Sequence, residues 1–66
     1  MQIIVNGETR QLADDTSTAQ LIEALGLGER RLALELNGEI VPRSQHQERM
    51  LAAGDRVEIV HAVGGG

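Results

Sequence analysis

The sequence predicts an α+β domain: a mixed sheet of four to five strands with one main helix packed across one face. Three observations carry that prediction. Two Asn-Gly pairs, Asn6-Gly7 and Asn37-Gly38, each follow a short apolar run, the mark of a tight hairpin whose two central residues both take positive φ. A single stretch of helical periodicity, Leu21, Ile22 and Leu25, lies between the two hairpins. The chain has 66 residues and 8 Leu, 5 Ile and 5 Val, enough apolar volume for one two-layer unit and little more.

Each element follows from its own residues. Met1-Gln-Ile-Ile-Val5 reads as a strand with Met1, Ile3 and Val5 on one face and Ile4 on the other. After Asn6-Gly7, Glu8 to Leu12 reads as a polar return strand. Ala13 to Thr16 is a loop, and Ser17 with Gln20 three residues later forms a capping-box pattern. Asp14 and Asp15, just before it, are placed to favour the positive end of the helix dipole. The helix is expected over about 18–26, with Gly26 as the left-handed residue after its end. Leu32, Leu34 and Leu36 alternate with Ala33 and Glu35 in a third strand. Glu39-Ile40-Val41 makes a fourth, which Pro42 stops or confines to a sheet edge. Ser44 to Ala53 is polar and reads as irregular, with room for one helical turn. Gly54-Asp55 turns into a last strand, Arg56 to about Val63, and Gly64-Gly65-Gly66 follow.

Composition excludes several functions. There is no Cys, so disulfides, thiolate metal sites and cysteine nucleophiles are absent together. There are no aromatics to stack on bases. Six Arg and no Lys stand against ten acidic residues, a net charge of −4, which is poor for binding polyanions. No apolar run approaches the roughly eighteen residues of a membrane span, and no charged-then-apolar leader opens the chain. So small a core is not expected to enclose a deep ligand pocket. The chain therefore reads as a non-enzyme, with no metal and no cofactor bound by itself. His46 and His61 lack a ligand-spaced partner and are expected to be exposed. Arg30-Arg31 reads as a solvated loop, and capping explains Ser17.

The element order β-β-α-β-β-loop-β, ending in bare glycines, is that of the β-grasp, or ubiquitin-like, fold. The chain also resembles, along its whole length, the ThiS family of sulfur carriers of thiamine biosynthesis. The segments that carry the resemblance are Asn37-Gly-Glu-Ile-Val-Pro-Arg43, Gly54-Asp-Arg-Val-Glu-Ile-Val60 and His61-Ala-Val-Gly-Gly-Gly66. The tail has three glycines where some members of the family have two. The fold implies a first and last strand lying side by side and parallel. The family implies a cytoplasmic carrier cycle. A ThiF-like adenylyltransferase uses ATP to convert the Gly66 carboxylate to an acyl-adenylate. A persulfide sulfur donor then displaces AMP to leave a thiocarboxylate, and thiazole synthase (ThiG) accepts the sulfur.

The residues make chemical sense of that cycle. A carboxylate is anionic and resonance-stabilised, a poor electrophile until a good leaving group is attached. To be activated it must thread into an enclosed site. Gly64 and Gly65, without Cβ, keep the thread narrow, and three extended residues reach about 10 Å. The expected organisation is one β-grasp domain over 1–63 and a flexible glycine tail over 64–66. Alternation in the last strand puts Val57 and Ile59 under the helix and leaves Val60 and Ala62, with Ile4, exposed on the open sheet face. There they are candidates for partner docking at the root of the tail. The alternatives are a related β-grasp carrier for molybdopterin synthesis or tRNA thiolation, a modifier attached to target lysines, and a β-grasp module that binds without covalent chemistry.

Overall fold

The computed structural model describes residues 1–28 and 30–61. Its strands are β1 (Gln2–Val5), β2 (Glu8–Gln11), β3 (Leu32–Leu36), β4 (Glu39–Val41) and β5 (Arg56–His61), and its helix is α1 (Thr18–Ala24). The five strands form one mixed sheet in the order β2-β1-β5-β3-β4. Antiparallel hairpins form its two flanks, and β1 and β5 lie side by side and parallel at its centre. The β-grasp arrangement expected from the sequence is the one observed.

Both hairpins turn through the predicted Asn-Gly pairs. Asn6 and Gly7 have φ of 49° and 82°, and Asn37 and Gly38 have 53° and 88°, the two consecutive left-handed residues of a type I′ turn. α1 opens on the predicted capping box: Ser17 Oγ accepts from the Gln20 amide at 3.1 Å, and the Gln20 side chain accepts from the Ser17 amide at 2.8 Å. The helix closes two residues before the expected limit because a Schellman motif ends it. Gly26, at φ 75°, donates to the Glu23 carbonyl, and Leu27 donates to the Ile22 carbonyl. Pro42 ends β4, which is an edge strand as expected.

The core draws on both layers: Ile3 and Val5 of β1, Leu21 and Ile22 of α1, Leu34 and Leu36 of β3, Val57 and Ile59 of β5, all on the expected inner faces, joined by Val41 and Leu51, while Met1, Leu25 and Leu32 from those faces pack against it half-buried. Asp14, in the loop before the helix, accepts from the Met1 ammonium at 3.0 Å. One expectation is corrected here. His46 is buried, where exposure was expected. The segment after β4 makes a 3-10 turn over Arg43–Gln45 that brings His46 inward. Its Nε2–H donates to the Val41 carbonyl at 3.0 Å, and its own carbonyl accepts from Thr18 Oγ1 at 2.6 Å and from the Ala19 amide. The imidazole thus ties the crossing segment to β4, while the His46 backbone carbonyl ties it to the helix. Among the described residues, no helix is long and apolar enough to cross a membrane.

Candidate functional site

The site of interest is the outgoing end of β5, the central strand of the sheet. Its burial alternates: Val57 and Ile59 are buried, while Arg56, Glu58, Val60 and His61 are exposed. The alternation is dictated by the pleat, which sends successive side chains to opposite faces. One face lies under α1 and the other is open.

Three sides of β5 fix its course. Along β3 it pairs from Leu36↔Val57 to Leu32↔His61, every residue but Arg56. Along β1 it pairs only over Arg56 and Val57, because β1 ends at the Asn6 turn. One further bond on that side comes from a side chain: the Ile59 amide donates to Asn6 Oδ1 at 2.7 Å. At the start of the strand, Asn37 Oδ1 accepts from the Arg56 amide at 2.9 Å, and Asn37 Nδ2 donates to Asp55 Oδ1 at 3.0 Å. The asparagines of both hairpin turns thus grip β5, Asn37 at its first residue and Asn6 past its middle. Sequence reading assigned them only to the turns. Their choice over Asp or Gly was the one available signal, since Asn alone joins tolerance of left-handed φ to a neutral carbonyl and amide.

On the open face, Val60 is 58% exposed and sits opposite Ala33, also exposed; Ile40 of the neighbouring hairpin is 61% exposed. Between these two apolar points, Glu35 and Glu58 are directly opposed across the β3–β5 pair, an arrangement of like charges that costs stability. Ile4 is half-buried instead of exposed. Its strand is flanked on both sides, with Thr9 and Arg56 as its register partners, so neighbours cover it as they cannot cover a residue near a strand end. Of the predicted docking residues, Val60 stands free on the surface and Ile4 contributes a smaller area. Ala62, Gly64, Gly65 and Gly66 lie outside the described residues.

The helix side carries an open groove of about 720 Å³ between α1 and the 43–50 segment, lined among others by Gln20, Glu23, Arg43 and His46. It is a surface depression and not an enclosed pocket, and none of its lining residues is on the open sheet face. Among the described residues, no group of three His, Asp or Glu side chains is placed to hold a metal. Arg30 and Arg31 are exposed, as is His61.

Comparison with known proteins gives this geometry its context. The model of the ThiS family matches residues 3–66. The chain is 32% identical to the sulfur carrier protein ThiS of Escherichia coli over 66 residues, covering all of both chains. It is 38% identical over 66 residues to a thiazole synthase of Paramagnetospirillum magneticum, where it spans 20% of that protein's length. The crystal structure of the thiamine biosynthesis protein ThiS from Geobacter metallireducens superposes with a TM-score of 0.86 at 30% identity, covering all of both chains. A β-grasp sheet whose central strand leads to a run of glycines, matched along its length in sequence and in structure, is decisive: the chain belongs to the ThiS family.

Proposed function

We propose that this chain is a sulfur carrier of thiamine thiazole biosynthesis that works in the cytoplasm and supplies a reactive terminus instead of catalytic groups. The observation that carries this reading is that the strand preceding Gly64-Gly65-Gly66 is the central one, held on both sides. Its full-length likeness to a curated sulfur carrier supports the same reading.

In this cycle the Gly66 carboxylate attacks the α-phosphorus of ATP on a ThiF-like adenylyltransferase, forming the acyl-adenylate and releasing pyrophosphate. The terminal sulfur of a persulfide then displaces AMP to give an acyl disulfide. A thiol cleaves its S–S bond and is itself oxidised to a disulfide, which leaves the glycyl thiocarboxylate. Thiazole synthase takes the sulfur, and the carboxylate is regenerated. The body docks through the open face around Val60, with Ile4 and Ala62, while Gly64 and Gly65 thread the terminus into the partner. Intact mass after incubation with ATP, a persulfide donor and the adenylyltransferase tests the reading. The expected product carries one oxygen replaced by sulfur. Deleting Gly66 is expected to abolish loading and leave the fold intact; normal loading of that variant refutes the assignment.

A second reading is favoured by the thiazole synthase match, in which a segment like this one forms part of a longer polypeptide. The carrier would then serve a synthase to which it is joined. The intact mass of the protein isolated from cells separates the two.

A further inference from the structure

The parallel ladder between β1 and β5 is extended by a side chain, and this bears on how the tail is delivered. Successive rungs on that side of β5 run as follows. The Ile4 amide donates to the Asp55 carbonyl at 2.9 Å, and the Asn6 amide donates to the Val57 carbonyl at 2.8 Å. There the backbone of β1 turns away through Asn6-Gly7. The next donor, the Ile59 amide, is met by Asn6 Oδ1 at 2.7 Å. Asn6 therefore supplies two consecutive rungs, one from its backbone to Val57 and one from its side chain to Ile59, 53 residues away in sequence. Past Ile59, the pairing described for β5 is with β3 alone, at Val60↔Ala33 and His61↔Leu32.

We propose that Asn6 is a positioning residue for the carrier reaction: by holding the Ile59 amide it fixes the line along which β5 hands residues 62–66 to the activating enzyme. This rests on the carrier reading above. A strand bonded on one side swings about its partner, whereas one bonded on both sides has a set direction. A displacement at Ile59 shifts the part of β5 from which the remaining residues start, three residues before Ala62. The reacting carboxylate must approach the α-phosphorus in line, and a misplacement of about 1 Å at a reacting centre can cost roughly a hundredfold in rate. Asn37 is the internal control. It has the same turn position, the same left-handed φ and an equivalent side-chain bond to β5, at the end of the strand remote from the tail.

The test compares Asn6→Gly with Asn37→Gly in the full 66-residue chain. Glycine adopts either φ without strain, so both variants keep their turns and lose only the side-chain bonds. ATP–pyrophosphate exchange by the adenylyltransferase is measured as kcat and KM for the carrier, alongside thermal melts. Both variants are expected to melt lower, Asn37→Gly at least as much as Asn6→Gly because it also loses the bond to Asp55 Oδ1. Asn6→Gly is expected to lower kcat about tenfold to a hundredfold with KM near the parent value, and Asn37→Gly to leave both near the parent. Asn6→Asp, which keeps the acceptor, is expected to restore kcat. Equal kcat losses in the two glycine variants, or a parental kcat in Asn6→Gly, overturn the proposal. A parent chain that is not itself adenylated overturns the carrier reading and this proposal with it. Hydrogen exchange on the parent gives a measurement free of any variant: an Ile59 amide exchanging as fast as a free one also overturns the proposal.

Discussion

The two faces of β5 belong to one six-residue strand, yet they do different work. Val57 and Ile59 are buried in the core, where every methylene is packed. Glu58 and Val60 face outward, where neither packing nor charge pairing is optimised: Val60 leaves apolar surface in water, and Glu58 opposes Glu35. The inner face gains stability by excluding water. The outer face forgoes stability, as the proposed docking surface is expected to. Side-chain alternation lets one strand meet both demands, because a substitution on one face need not disturb the other.

The comparison is tested first where the largest effect is expected. Leu34→Ala, at a fully buried position opposite Ile59, is expected to destabilise the fold by about 2–5 kcal/mol, measured by urea unfolding. A domain of this size has on the order of 5 kcal/mol in total, so the variant is expected to be substantially unfolded. A loss well under that range would show that the inner face tolerates change as an outer one does.

His46→Ala removes the donor from the buried Val41 carbonyl and is expected to cost about 1–3 kcal/mol. A neutral result would mean that the imidazole is incidental to the hold of the crossing segment on β4. Ser17→Ala removes the oxygen of the capping box and is expected to cost about 1 kcal/mol, since α1 has only seven residues and few other means of holding its first turn. Thermal melts of the two variants rank them, and the reverse order would place more of the stability in the helix than in the crossing segment.

The smallest stability effect is expected on the outer face. Val60→Asp is predicted to change stability by no more than about 0.5 kcal/mol, as at other surface positions, while weakening adenylation by raising the KM for the carrier. If it unfolds the domain, the outer face is part of the core after all and the contrast between the faces collapses. If it folds and is adenylated normally, docking does not use Val60.

Local signals fully determined several features of this protein. The two Asn-Gly turns, the capping box at Ser17 and Gln20, the stop at Gly26 and the alternation of Leu32, Leu34 and Leu36 each depend on residues a few positions apart, whose propensities act alike in any context. The order of the elements and the glycine run followed directly, while the family came from the resemblance of the segments 37–43, 54–60 and 61–66. Tertiary structure decided the rest. Nothing near His46 marks it for burial; its bonds to Val41 and Thr18 exist because a 3-10 turn folds the polar segment between the layers. Ile4 and Val60 look alike as outward apolar residues, and only the pairing of the strands separates them: Ile4 has a neighbour on both sides, at Thr9 and Arg56, whereas Val60 lies beyond the end of β1 and has only Ala33 of β3 opposite it. The bond from Asn6 to Ile59 was out of reach for the same reason. Hydrogen-bond partners 53 residues apart meet only when the first and last strands lie side by side, and that adjacency comes from burying both strands under one helix, not from any residue within either strand.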